Sequence, residues 1–558
     1  MSSAARRGGS GRAGSGGRAI GRRVADAPAA GKRVPPGERA FRAAALAVVA
    51  LAGALRFWAL DLGLPHPLAR PDEEVVLAQT EAPARGEVLL DWSIYPGAYV
   101  DLTWAWGAAG LRAGRLLGCF PPGGYLSVLR EHPERLILVD RVLSAAAGTA
   151  TVALLVAGAR AALGPGAALA AGVLLASSFL HARDSHAAKP DVLFALGALV
   201  SLWAMVPLAR GTTLRRAAVA GLAVGLTLAV KYPAVILLVP GYVAAALGSP
   251  ARGWRRLVPA PAAVVGAVAA AVFLASSPSL VLNPRSREGL ALVLSTLVPH
   301  GVPGAISPPD HPWWGGFAYH AGFSLRYGAG LVPTLLAPVA VVWGAASRRR
   351  LLVLAAVFAV AYSAVVGISP VNQARYMTPL LPVLALLEGG LLGTVLARRP
   401  LVLLAAALVL VAEPLASAVA HDRIASRTDT RVLATRWMAE HLPRGAQVEI
   451  VGTRLWVYGV PQMPPGIEAR HAVPEPGALA AAGIGYVLTH DHPLPFSHVD
   501  PEVMEGLADH VRLLKDFNPF VGDGAGAVFE PADAYYIPFH GFGAVERPGP
   551  RVRIYALR

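Results

Sequence analysis

The sequence predicts an all-α polytopic membrane protein of about eleven transmembrane helices, followed by a small C-terminal extracytoplasmic α/β domain. Three observations predict it. Hydrophobic residues make up 54 % of the 558-residue chain and charged residues only 15 %, against about 25 % charged in an ordinary globular chain. Mean hydropathy is +0.50, an apolar surplus too large for one soluble core and suited to lipid. The apolar residues fall in runs of about 20, the length that crosses a hydrocarbon core of ~30 Å. The lone cysteine, Cys119, excludes an internal disulfide framework and a Cys-based zinc or iron–sulfur site. The net charge of +15 is no nucleic-acid signature. Residues 1–40 hold nine Arg/Lys and two acids, and most of the rest sits in short loops between apolar runs. That pattern reports topology.

Residues 1–40 are Gly, Ser, Ala and Arg with almost no bulky apolar side chain, which reads as a disordered basic cytoplasmic tail. The run that follows is long enough to span and lacks a signal-peptidase site. Spans are expected near 41–60, 137–158, 165–181, 191–209, 217–230, 232–248, 257–279, 329–346, 351–368, 376–396 and 400–419, within a membrane domain at 41–420. Arg160, Arg210 with Arg215 and Arg216, Arg252 with Arg255 and Arg256, Arg348 to Arg350, and Arg398 with Arg399 fall in alternate loops. With eleven spans they share one side with the N-terminal tail, so that side is cytoplasmic. The parity requires that residues 98–118, within a first extracytoplasmic loop at 62–135, do not cross. Trp104 and Trp106 beside Arg112 and Arg115 suit a helix lying in the interface. From 421 to 558 the composition becomes ordinary. Thr430 to His441 is expected to be helical, Val448–Val451 and Gly485–Leu488 to be strands, with an Ala-rich helix near 477–483 between them. This segment reads as accessory.

Ionisable groups at membrane helix ends are costly and mark candidate sites. Four clusters fall on the predicted outer face. Arg70-Pro71-Asp72-Glu73-Glu74 places adjacent carboxylates at a rigid turn, where neighbours push their pKa values apart and one can serve as base; the bland alternative is an exposed acidic loop. His181-Ala182-Arg183-Asp184-Ser185-His186-Ala187-Ala188-Lys189-Pro190-Asp191 joins the third and fourth spans, and its spacing matches no standard metal set. Lys231-Tyr232 carries one of only four lysines among fifty basic residues; it can snorkel or bind a phosphate as a point charge. Asn372-Gln373-Ala374-Arg375-Tyr376 offers a guanidinium for bidentate phosphate contact. Glu388 falls inside a span, with no role assigned. Together, paired acids, two lysines and an arginine suit a lipid-phosphate substrate: the anion held by cations, the tail in the bilayer, and a carboxylate able to deprotonate an acceptor.

The ordered motifs "IYPGAYVDLTWAW", "DRVLSAAAGTATVALL", "HARDSHAAKPDVLFAL", "GLAVGLTLAVKYPAVILL" and "QARYMTPLLPVLALLEGG" resemble the GT-C glycosyltransferases of the protein O-mannosyltransferase and aminoarabinose-transferase type (family 39-like) over residues 41–420. The tail "RPGPRVRIYAL" is similar to extracytoplasmic ends of such bacterial proteins. The resemblance implies inverting transfer of a sugar from a polyprenyl-phosphate donor, of the undecaprenyl type, on the outer face of a bacterial cytoplasmic membrane. It implies Asp72 as the general base, with Glu73 beside it binding substrate, and Asp191 as the second acid. Lys231 would then contact the donor phosphate, and Arg375-Tyr376 would line the same cavity. Glu74, Asp184, Lys189 and Tyr232 complete the candidate substrate-binding set: Glu74 follows the acid pair so closely that the assignment can slip by one, and Asp184 competes with Asp191. No pattern fixes a metal, so a divalent cation stays open. The partners implied are the lipid donor, membrane lipid, and a protein, lipid or glycan acceptor, with no nucleic acid. Competing readings are a lipid-linked glycan flippase, which mid-span charges and two similar halves would favour, and a surface-glycan polymerase or ligase. The loop at 280–328, with Arg285, Arg287, His300, Asp310, His311 and His320, keeps the last one open.

Overall fold

A computed structural model describes residues 36–558 except 254–255, 257–258, 296–311, 313, 453–456, 472–478 and 480. The basic tail up to residue 35, three residues of the polymerase-like loop (His300, Asp310 and His311), and residues 477, 478 and 480 of the expected Ala-rich helix at 477–483 lie outside the described residues. Residues 43–558 form one compact unit. Residues 36–42 form the first turns of helix α1, where Arg42 Nε meets Glu38 Oε1 at 3.0 Å.

All eleven predicted apolar segments are helical. They are α1 (Pro36–Phe57) and then, after α2 (Glu73–Gln79) and α3 (Gly97–Leu116), α4 (Pro133–Leu163) and α5 (Pro165–Ser177). Next come α6 (Asp191–Arg210), α7 (Leu214–Leu228), α8 (Leu238–Gly248) and α9 (Ala260–Ser276). The series closes with α10 (Leu331–Ala346), α11 (Arg350–Ile368), α12 (Leu381–Val395) and α13 (Pro400–Ala425). Five described helices are long and apolar enough to cross a membrane (α1, α4, α6, α11 and the stretch beginning with α13), with a sixth if the bent pair ending in α10 is one span. Four others, including α5 and α9, are apolar but shorter, while α3, the expected interfacial helix, is not among the spans. Large side chains stand bare on α13, with Leu401 79 % and Leu408 58 % exposed. Such a face suits lipid rather than water, and the chain is a multi-pass membrane protein.

Local chemistry sets the boundaries. Proline at the first turn starts α4, α5 and α13, where the missing N–H costs nothing. Thr213 caps α7 by accepting the Arg216 N–H at 3.2 Å. Bundle contacts are close where small residues repeat. A Cβ on Gly225 of α7 would lie 2.8 Å from the Ala269 carbonyl oxygen of α9, and one on Gly393 of α12 would lie 2.5 Å from the Ala167 Cα of α5.

The C-terminal part opens with helix α14 (Thr430–His441), as expected. Asp429 caps it by accepting the Arg431 N–H at 2.8 Å. A five-stranded sheet follows, built from β1 (Gln447–Val451), β2 (Glu468–Arg470), β3 (Tyr486–Asp491), β4 (Val511–Phe517) and β5 (Arg551–Leu557) in the order β2-β1-β3-β5-β4. β1 runs parallel to β2 and β3, and β5 runs antiparallel to β3 and β4. β1 and β3 match the expected strands. β2, β4 and β5 are not among the expected strands: β2 is short and exposed, most of β4 is exposed or partly so, and β5 follows a Pro-Gly-Pro run. Val448, Ile450, Leu488, Val552 and Ile554 pack on Ala434 and Met438 of α14 to make the core.

Gly225→Leu should drive α7 and α9 apart, at about 1–3 kcal/mol for overpacking. Gly266→Ala on α9, where nothing lies within 4 Å, should be neutral; thermal melting in detergent compares the two.

Candidate active site

The three consecutive acids diverge because the backbone turns left-handed at the first. Asp72 has φ 69° and ψ −7°, a conformation that Asp tolerates better than most residues. Glu73 then points into the bundle with 1 % exposure. Its two carboxylate oxygens accept from Arg141 Nε at 2.9 Å and Nη2 at 2.6 Å, and the Ala188 N–H adds a third bond at 2.8 Å. Arg141 Nη1 also donates to the Leu60 and Leu62 carbonyls, at 2.8 Å each. Glu73 therefore lies outside the cavity, its oxygens taken up by a structural clamp. Glu74 points away from both, accepting from the Tyr458 hydroxyl at 2.6 Å. Burial pushes its pKa up, with the Tyr458 hydrogen bond working against that.

Asp72 alone of the three lines the cavity of about 400 Å³ that also holds Asp191, Lys231 and Arg375. Asp191 at the start of α6, Lys231 and Tyr232 before α8, and Arg375 and Tyr376 before α12 line the same space, with Tyr95 across from them. Val235, Ile236, Val365 and Val366 give it an apolar wall. Arg375 Nη1 meets Asp72 Oδ2 at 2.5 Å and Lys189 Nζ reaches the same oxygen at 3.5 Å. Lys231 is ion-paired with Asp191, and its Nζ lies 5.7 Å from the Tyr376 ring centroid. The Tyr232 hydroxyl is spent on the Ser93 carbonyl at 3.0 Å, so its ring rather than its oxygen serves the cavity. Asp72 and Asp191 thus face Lys189, Lys231 and Arg375, and Asp533 behind them also draws on Lys189. Burial raises the Asp72 pKa, but Arg375 and Lys189 outweigh it and hold the carboxyl at about 2.

Asp184 is elsewhere. It is buried behind the cavity, accepting from Arg183 at 3.1 Å and Arg70 at 3.4 Å, and from the Thr378 hydroxyl. Two further acids come from the C-terminal part, and their position could not be read from the sequence. Asp533 accepts from Arg70 at 2.8 Å and Arg183 at 3.2 Å. Glu530 accepts from Arg183 at 3.1 Å and from the Ala374 N–H, next to Arg375, at 2.5 Å. Burial opposes ionisation of Asp533, but Arg70, Lys189 and Arg183 hold its carboxyl well below the usual range. Stacked on these ions is Tyr535, 4.1 Å from the Arg70 guanidinium and 4.6 Å from that of Arg183. The segment around 530–535 is thus built into the support of the cavity. Arg141 and Arg183 had a signal in the sequence, since an arginine at membrane depth requires a counter-ion. Glu530 and Asp533, in a Pro- and Ala-containing stretch, had none.

Removing one partner from such a buried lattice strands the rest. Asp533→Ala should cost about 3–5 kcal/mol, read as a lowered melting temperature in detergent, and Asp533→Asn, which keeps one hydrogen-bonding oxygen, should cost less.

Residues 136–281, from α4 through the turn after α9, match the family model described as dolichyl-phosphate-mannose-protein mannosyltransferase. No curated protein sequence matches the chain. Among solved structures, the fold is similar to ArnT from Cupriavidus metallidurans bound to undecaprenyl phosphate. That match has a TM-score of 0.50 and 15 % identity, covering 93 % of this chain and 98 % of that one. The apo ArnT structure from the same organism gives 0.51 and 14 %, over 93 % and 97 %. The apo oligosaccharyltransferase of Archaeoglobus fulgidus gives 0.49 and 12 %, over 92 % and 88 %. Over residues 136–281 and in overall fold, the chain is similar to membrane glycosyltransferases.

Proposed function

We propose that the chain transfers a sugar from a polyprenyl-phosphate donor to an acceptor hydroxyl or amine, with inversion, on the extracytoplasmic side of a bacterial inner membrane. In this reading the eleven apolar helices are eleven crossings, the N-terminus is cytoplasmic, and residues 421–558 are outside. The observation that carries it is the meeting of Asp72 with Arg375, Lys231 and an apolar wall in one cavity, with Lys189 backing Asp72. The undecaprenyl phosphate in the similar ArnT structure supports a lipid-phosphate donor.

The chemistry follows from the charges. The donor phosphate sits on Arg375 and Lys231, its prenyl tail along Val235, Ile236, Val365 and Val366. Asp72 Oδ takes the proton from the acceptor as the acceptor atom bonds to the anomeric carbon. The sugar–oxygen bond to phosphate breaks on the opposite face, and the cations hold the phosphate that leaves. In the free protein Asp72 is a weak base, because Arg375 stabilises its anion. Donor phosphate competes for Arg375, which loosens the Arg375–Asp72 pair and raises the carboxylate's basicity when the substrate is present. Asp191 keeps Lys231 in place. Glu74, on the far side of α2, borders a second recess of about 410 Å³ that shares Val75 with the main cavity, and the acceptor approaches from there. Glu73 acts as a positioning residue.

Purified protein given labelled polyprenyl-phosphate sugars should release sugar from one of them. Asp72→Asn should reduce transfer by about 10²–10⁴, the range of a general base. Undiminished turnover in that variant would sink the assignment. The pH dependence has a definite sign. Activity needs ionised Asp72 and is lost as pH falls through its pKa, which lies at about 2 in the free protein. Arg375→Met removes the stabilising charge, so the acid limb of kcat/KM should move to higher pH while donor KM rises. Orientation has its own test: Cys119 is exposed and is the single cysteine, so a membrane-impermeant maleimide should label it from outside intact spheroplasts. Labelling only after permeabilisation would reverse the topology.

A further inference from the structure

The sequence marks His186 within a polar connection of unmatched metal-like spacing. The fold brings it beside His421 and Asp422, consecutive residues near the end of α13, so that one ligand atom from each lies within 4.8 Å of the others. All three are buried, with exposures of 3 %, 0 % and 0 %. The cluster is separate from the cavity that holds Asp72, and none of its members lines that space. We infer that His186, His421 and Asp422 bind one transition-metal dication, zinc or an ion of similar preference, as a structural site outside the sugar-transfer cavity.

The hydrogen bonds set up the ligands. His186 Nε2 lies 3.0 Å from the Leu55 carbonyl oxygen and 3.9 Å from Asp422 Oδ1. A carbonyl only accepts, so Nε2 carries the proton and Nδ1 presents a bare lone pair. That Nδ1 has no partner among the described residues, and neither has Asp422 Oδ2. Two unsatisfied acceptors buried together are costly unless a cation meets them. His421 Nδ1 lies 2.9 Å from Asp422 Oδ1, and its Nε2 lies 2.6 Å from the Tyr535 hydroxyl. Both imidazoles are thus oriented through their second nitrogen, by Leu55 and by Tyr535, as metal-bound histidines usually are. Two imidazoles and a carboxylate suit zinc and its neighbours rather than magnesium or calcium. Arg56 acts on Asp422 through its charge, but its hydrogen bonds go to the carbonyls of Ala52, Leu175 and Ala176, and it lies 2.9 Å from His181 Nδ1. With Nε2–H of His421 donated to the Tyr535 hydroxyl, the proton between His421 Nδ1 and Asp422 Oδ1 belongs to the carboxyl; binding releases it and draws the three ligands inward to the roughly 2.0–2.2 Å bonds of such ions. The ion would tie the turn that carries Lys189 to the end of α13 and to the segment of Tyr535.

The test uses the full chain in detergent, stripped with a chelator, given one equivalent of zinc and desalted. Wild type should retain about one zinc per chain by elemental analysis and melt at a higher temperature than the stripped form. With cobalt in place of zinc it should show the visible absorption of a low-coordinate N/O site. Asp422→Asn and His186→Gln should melt like stripped wild type in chelator and lose retention by at least ~10-fold, whereas Asp72→Asn should keep its ion. A wild type that retains no zinc and gains no stability overturns the inference, whether or not the variants fold. So does retention that survives in both ligand variants or disappears in Asp72→Asn. None of these readouts depends on sugar transfer, so the two proposals stand or fall separately.

Discussion

The site depends first on the Glu73–Arg141 clamp. An arginine two turns into α4 has no water to solvate it, and Glu73 answers with both oxygens while the guanidinium also gathers the Leu60 and Leu62 carbonyls. Four elements are held by one buried ion pair: the chain leaving α1, α2, α4, and the turn of Ala188. Breaking a pair of this kind by deleting one partner typically costs about 3–5 kcal/mol. Here the cost also falls on geometry, because the left-handed backbone at Asp72 is needed to reconcile Glu73 pointing inward with Asp72 facing the cavity. The clamp fixes which of three consecutive acids is available.

Behind that clamp a second lattice of arginines and carboxylates does the same for the other half of the cavity. Arg70 and Arg183 are shared among Asp184, Glu530 and Asp533, and Glu530 reaches the backbone beside Arg375. Residues distant in sequence are held together by charges that cannot be left unmatched. The C-terminal part, which composition alone sets aside as accessory, supplies two of the acids in this lattice.

Much of the architecture was legible because burial in lipid leaves a coarse pattern. Eleven apolar runs became eleven helices, Pro133, Pro165 and Pro400 opened three of them, and Asp429 capped α14 where the composition changed. Asp72, Asp191, Lys231, Tyr232, Arg375 and Tyr376 were legible as polar exceptions at helix ends, and they share one cavity. What stayed hidden was the partner of each charge. Glu73 and Asp72 are adjacent and chemically alike, and nothing local says that Arg141 takes one and Arg375 the other. Asp184 reads like Asp191 until the fold gives it to Arg183 and Thr378. Glu530 and Asp533 look like surface residues because their arginines lie some 350 positions away.

The cavity is also self-neutralised. With no anion bound, Arg375 rests on Asp72 and Lys231 on Asp191, so neither the cations nor the base is fully available. A neutral ligand gains little by disturbing such pairs. A phosphate gains more, since each cation it draws away exchanges one carboxylate partner for another anion, at less net cost than desolvating a free arginine. The same movement releases Asp72 from the charge that suppresses its basicity. Under the function proposed, recognition of an anionic donor and release of the base would be one electrostatic event, and a site carrying Asp72 without Arg375 would have a stronger base but no means of tying it to the donor.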